Sequence, residues 1–169
     1  MSINLRELIR TSGARLPFRQ ELDRERLDFP AVLDYLVPPV GEGEIANSAD
    51  LLTLQGNIHA VMRCQCDRCC REFDKTVDLP LRVRLAAELE DEEDPDYFLL
   101  NGDELDIDDL LESAFILGMD PQILCREDCK GLCPRCGADL NEGACTCRAE
   151  SDPRLAVLEQ LLDDTDHTN

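Results

Sequence analysis

The stretch LTLQGNIHAVMRCQCDRCCREFDKTVDLPLRVRL, residues 52–85, alternates apolar and polar side chains on both sides of a central C-D-R-C. Leu52, Leu54, Ile58, Ala60, Met62, Cys64 and Cys66 fall on one face of an extended segment. Beyond the tip, Val77, Leu79, Leu81, Val83 and Leu85 alternate with Asp78, Pro80, Arg82 and Arg84. A side-chain period of two belongs to a strand with one buried face. The pattern predicts a long β-hairpin tipped by Cys66 and Cys69. Pro80 has no N–H for a ladder, so the second strand is expected at an edge or a bulge.

Outward from the hairpin the signals change. Leu16, Phe18 and Leu22 suggest another strand near the N-terminus, and Tyr97–Leu100 a short one before the turn residues Asn101–Asp103. Ile107, Leu110, Leu111, Ala114 and Leu117 then recur at helical spacing, with Asp106 as N-cap and Gly118 and Pro121 as the stop. The segment SDPRLAVLEQLL from Ser151 puts Pro153 in a first turn and Leu155, Leu158, Leu161 and Leu162 on one stripe. Such a stripe is expected to dock on the body. The expected fold class is α+β: an antiparallel β-rich body with a long hairpin, a few helices, and a small cysteine-rich metal-binding C-terminal segment. The expected division is residues 1–121 for the body, with a helix near 106–118, and 122–169 for the zinc-knuckle segment and the C-terminal helix.

Composition narrows the function. A chain of 169 residues, 43% hydrophobic, can bury one sizeable core and a small appendage. It has no long apolar run, which argues against a secreted or membrane-spanning protein and for a cytoplasmic one. In a reducing compartment, ten cysteines point to metal ligation or thiol chemistry rather than a disulfide framework. The net charge of −20 is concentrated: from Glu88 to Glu112 there are thirteen Asp or Glu and no Lys or Arg. Taken alone, such a run is a solvated loop.

The cysteines supply the most specific pattern. In CPRCG, Cys133 and Cys136 lie two residues apart with Gly137 following, and Cys145 and Cys147 bring a second pair across a short loop. Four thiolates at about 2.3 Å satisfy tetrahedral Zn(II) and leave no open position, so the site is structural. Cys66 and Cys69 form another knuckle but only half a site. Cys125 and Cys129 either join them in a second centre or substitute for members of the first. The plainer reading makes these cysteines small buried hydrophobes. Cys64 and Cys70 read as packing or surface residues.

The alternative chemistry is a thiol redox switch or oxidoreductase using the C-x-x-C pairs. Disulfide oxidoreductases place that pair at a helix start within a βαβ unit, a context neither CDRC nor CPRC has. His59 and His167 are isolated, and no Ser-His-Asp or nucleotide-binding pattern occurs. Nothing in the chain suggests an enzyme.

One family pattern runs through these pieces. CREDCKGLCPRCGADLNEGACTC followed by DPRLAVLEQLL, with the upstream CDRC hairpin and the D-x-x-x-L-L-E-S helix, resembles the YceD family. The resemblance implies a factor in the synthesis, processing or stability of 23S rRNA, and it implies no catalytic residue. A chain at −20 is repelled by a polyanion, and with 4% aromatic residues and no Trp it lacks a stacking platform. Direct RNA contact would fall to Arg63, Arg68 and Arg71, or to Arg126, Lys130, Arg135 and Arg148. The expected partner is instead a basic large-subunit ribosomal protein or pre-ribosomal particle, met through the Glu88–Glu112 run.

Overall fold

The computed structural model describes residues 2–49, 51–86 and 97–147. The last-helix stripe from Leu155 to Leu162 and the densest part of the acidic run lie outside the described residues. The chain divides into two compact units, Met1–Cys129 and Lys130–Asn169.

The first unit is α+β and strand-rich. Its elements are β1 (Ser2–Asn4), α1 (Arg6–Arg10), β2 (Arg15–Glu21), β3 (Val32–Ser48), β4 (Leu51–Gln65), β5 (Glu72–Ala86), β6 (Tyr97–Leu99), β7 (Glu104–Asp106) and α2 (Ile107–Gly118). Five strands form one sheet in the order β2-β3-β4-β5-β6, and β1 pairs with β7 separately. The β4–β5 hairpin runs in unbroken antiparallel register from Leu52↔Leu85 to Gln65↔Glu72. The alternation read from the sequence is its cause. Leu52, Leu54, Ile58, Ala60, Met62 and Cys64 are all buried on the inner face.

Two features depart from expectation. The body is not wholly antiparallel: β6 joins β5 in parallel, through Arg84, Leu85 and Ala86. That contact begins beyond Pro80, so among the described residues Pro80 sits where β5 is an edge. The second is β3, the longest strand, which the sequence pattern does not announce. Pro38, Pro39, Gly41 and Gly43 interrupt its alternation, and three register shifts between Val32 and Val40 absorb the irregular half.

Helix α2 closes the core. The Asp106 side chain caps it by accepting from the N–H groups of Asp108 and Asp109, and Leu110, Leu111 and Phe115 face inward. A Cβ on Gly41 would stand 2.7 Å from Leu111, and one on Gly118 would stand 2.8 Å from Leu79. Gly41, Ile58 and Leu79 are partners on one rung of β3, β4 and β5. The helix therefore lies across that rung, with the missing side chains letting it approach. Asn47, 2% exposed, donates from Nδ2 to the carbonyls of Leu8 and Ile9. It thereby satisfies acceptors at the end of α1 that the short helix leaves open.

The acidic run is not a solvated loop throughout. Its described part builds β6, β7 and the first half of α2, and Glu112 is 5% exposed with Arg26 3.0 Å away. Burial pushes the Glu112 carboxyl above its ordinary range, and the Arg26 charge partly opposes that. Among the described residues no helix is long and apolar enough to cross a membrane.

Candidate metal centres

The two C-x-x-C pairs fold as one turn used twice. In the hairpin tip, the Cys66 N–H donates to the Arg71 carbonyl at 2.9 Å, and the Cys70 N–H to the Cys66 carbonyl at 2.9 Å. In the second unit, the Cys133 N–H donates to the Ala138 carbonyl at 2.8 Å, and the Gly137 N–H to the Cys133 carbonyl at 2.9 Å. The residue after the second cysteine is left-handed in both, at φ 72° for Gly137 and 56° for Cys70. A chain that turns tightly enough to aim two sulfurs at one point needs that conformation next, and glycine reaches it without strain. Cys70 holds the glycine position of the first turn.

The residues between Cys66 and Cys69 bring in the rest of the first tetrad. The Asp67 N–H donates to the Ile123 carbonyl at 2.9 Å, and its carboxylate accepts from the Ile123 N–H at 2.6 Å. The Arg68 guanidinium donates to the Cys129 carbonyl at 3.0 Å. The segment thus held presents Cys129 Sγ 3.8 Å from Cys66 and Cys125 Sγ 3.7 Å from Cys69. All four sulfurs lie within 4.8 Å of one another. A tetrahedron with 2.3 Å metal–sulfur bonds has an edge of about 3.8 Å, so the spacing fits one mononuclear ion. A disulfide would need about 2.05 Å, and all ten cysteines are thiols.

The second tetrad is Cys133, Cys136, Cys145 and Cys147, again with every sulfur within 4.8 Å of the others. Its loop is held by the Lys130 N–H on Asn141 Oδ1 at 2.9 Å and by the Leu140 N–H on the Gly131 carbonyl at 3.0 Å. Between residues 130 and 147 only Gly131 and Cys133 are buried. So little apolar burial leaves the thiols as the centre of this segment, and a bound ion would supply the missing core. Two cysteine tetrads could thus hold metal.

Thiol electrostatics follow from the crowding. Burial pushes Cys66 up, but backbone hydrogen bonds from Cys125, Cys69 and Arg68 outweigh it and bring it to about 6. Backbone hydrogen bonds from Cys136 and Arg135, with the Cys145 thiol, bring Cys133 to about 6. Cys125 is pushed up to about 12 by burial and then by the Cys69 thiol, and Cys147 to about 12 by the neighbouring Cys136 thiol. Four thiols this close resist ionising together, which is the condition a soft dication reverses.

Residues 54–162 match the family described as large ribosomal RNA subunit accumulation protein YceD. The chain belongs to the YceD family. Uncharacterized proteins of Mycobacterium bovis and of two Mycobacterium tuberculosis strains are 27% identical to it over 176 residues, covering 96% of this chain and 81% of theirs. No solved structure matches the chain. The family match begins within β4 and contains both tetrads. Its description implies a ribosome-related role and names no reaction.

For a YceD-family chain the fate of the basic residues matters. Arg63 donates to both carboxylate oxygens of Asp74, at 2.9 and 3.3 Å. Arg68 holds the 122–129 segment, and Arg126 lies 3.3 Å from Asp128. Arg71 and Arg135 also have partners. His59 Nδ1 is 2.7 Å from Asp78, its cross-strand neighbour. His167 and Arg148 are outside the described residues. Cys64 is fully buried in the core, its thiol pushed up by that burial, and Cys70 is exposed. Neither C-x-x-C pair opens a helix: CDRC joins β4 to β5, and CPRC runs into Gly137. Sequence reasoning missed the Asp67 and Arg68 clamp, which no local pattern announces.

Proposed function

We propose that this protein is a non-catalytic cytoplasmic factor supporting accumulation of 23S rRNA, its fold held by two structural Zn(II) thiolate centres. Cys133, Cys136, Cys145 and Cys147 bind one ion, and Cys66, Cys69, Cys125 and Cys129 the other. It acts through a basic large-subunit ribosomal protein or a pre-ribosomal particle, and its contact with rRNA is indirect. The observation that carries the indirect reading is that Arg63 and Arg68, though at the surface, are already engaged by Asp74 and by the Cys129 carbonyl, while the chain as a whole is at −20. Phosphate contacts draw their affinity from cations that displace the counterions condensed on the nucleic acid, and an arginine already paired with a carboxylate does so less well. An acidic surface instead speeds encounter with a cationic partner. The family description supports the ribosomal setting, and the sulfur spacing supports zinc.

Pull-down from a lysate tests this, with and without nuclease. Neutralising Glu90, Asp91, Glu92, Glu93 and Asp94 together is expected to weaken capture of large-subunit proteins, in a salt-sensitive way. Nuclease-sensitive capture that survives loss of these acids and vanishes on changing Arg63 and Arg71 refutes the indirect reading.

A further inference from the structure

The two tetrads share a turn but differ in their surroundings. Cys66, Cys69 and Cys129 are buried, and the Asp67 and Arg68 bonds hold the segment that covers them. Cys136 and Cys147 are exposed and Cys145 is half-exposed, in a segment with almost nothing else buried. An oxidant modifies the thiolates it can reach, faster where a second sulfur stands ready to resolve the first product. Cys136 and Cys147 meet both conditions: each faces solvent, and their sulfurs lie within 4.8 Å. A 2.05 Å bond between them would join two sulfurs that already lie within 4.8 Å on exposed residues.

We infer that Cys136 and Cys147 are an oxidative modification site, where a peroxide makes a disulfide and expels the ion of the second tetrad while the first keeps its own. This depends on the reading that both tetrads hold zinc. The Cys136 sulfur attacks one peroxide oxygen, the O–O bond breaks, and a sulfenic acid and hydroxide form. The Cys147 sulfur then attacks the Cys136 sulfur, making the S–S bond and releasing a second hydroxide. Two electrons pass from the two sulfurs to the two oxygens. Four protons from solvent complete the balance: two turn the hydroxides to water, and two protonate Cys133 and Cys145 as the dication leaves. The outcome is local, because residues 130–147 have no apolar core to fall back on, whereas the first unit has one. A peroxide would then switch one segment off and leave the body folded.

The test uses the full zinc-loaded chain, freed of reductant and titrated with hydrogen peroxide beside a chromogenic zinc chelator. Metal content is followed by native mass spectrometry, linkages by peptide mapping, and local order by hydrogen exchange. The expected result is loss of one of two zinc ions, a Cys136–Cys147 linkage, and faster exchange confined to 130–147. Equal release of both ions, prior release from the buried tetrad, or a linkage other than Cys136–Cys147 overturns the inference. A chain holding fewer than two zinc ions before peroxide is added refutes the two-centre reading instead.

Discussion

Cys70→Gly is expected to stabilise the first unit, an unusual outcome for replacing a cysteine beside a metal knuckle. Cys70 sits at φ 56°, where Gly137 sits at 72° in the matching turn. A non-glycine residue in the left-handed region costs about 1.5 kcal/mol, and glycine gives back about 0.7 kcal/mol through its freer unfolded chain. The net gain is about 0.8 kcal/mol. For a unit running from Met1 to Cys129, an unfolding entropy of about 2.1 cal/mol/K per residue turns that into a rise of about 3 °C. Cys70→Ala is the control, because alanine keeps the Cβ and the strain and should stay within about 0.5 kcal/mol of the parent. The reciprocal change is Gly137→Ala. Nothing lies within 4 Å of the added Cβ, so only conformation is penalised and zinc affinity at the second tetrad should fall about fourfold. Thermal melts and chelator competition measure both. If Cys70→Gly and Cys70→Ala both lose a metal ion, Cys70 is a ligand and the equivalence of the two turns fails as an explanation.

Asp67→Ala keeps every thiol but removes the carboxylate that holds Ile123; it should cost about 1–2 kcal/mol and lower affinity at the first tetrad by roughly 10- to 100-fold, and unchanged affinity in a chelator titration would count against the clamp. Arg26→Ala leaves Glu112 buried without its cation and should cost about 2 kcal/mol at pH 7. Because the folded-state pKa of Glu112 is raised, the folded chain holds that proton more tightly than the unfolded one. Stability from this group is therefore greatest at acid pH and is lost as pH rises through the folded value, so the deficit of the variant should shrink as pH falls from neutral toward the ordinary carboxylate range; a deficit that does not change with pH refutes the buried-charge account.

How much of this was legible beforehand depends on how local the signal is. The β4–β5 hairpin follows from strict alternation on both sides of CDRC, and the Asp106 cap from an N-cap residue ahead of a helical repeat. β3 was not legible because its register shifts break the alternation, and because its pairing with β4 and its contact with Leu111 at Gly41 are tertiary. The turn at Cys133–Gly137 announces itself by its glycine, whereas its twin at Cys66–Cys70 hides behind a cysteine in that place. The sequence offered Cys125 and Cys129 as partners for Cys66 and Cys69 but left open whether they belong to the later four instead, since Asp67 and Arg68 recruit that segment from more than fifty residues away. Glu112 was hidden by its company: surrounded by acids in sequence, it reads as surface, and only the packing of α2 buries it.

The sequence distance across each tetrad sets when the site can exist during synthesis. Cys66 and Cys129 are 63 residues apart. At about 5–20 residues per second, the hairpin knuckle emerges from the ribosome roughly 3 to 13 seconds before its last partner. During that interval it is a dithiol open to any soft ion. The four thiols from Cys133 to Cys147 emerge almost together. Joining Cys69 to Cys125 spans 56 residues, against nine between Cys136 and Cys145; loop-closure entropy alone disfavours the longer span by about 1.6 kcal/mol. The site completed first along the chain is therefore the slower to close. A nascent chain short of zinc would carry an open hairpin tip at the moment its second unit is already competing for the ion.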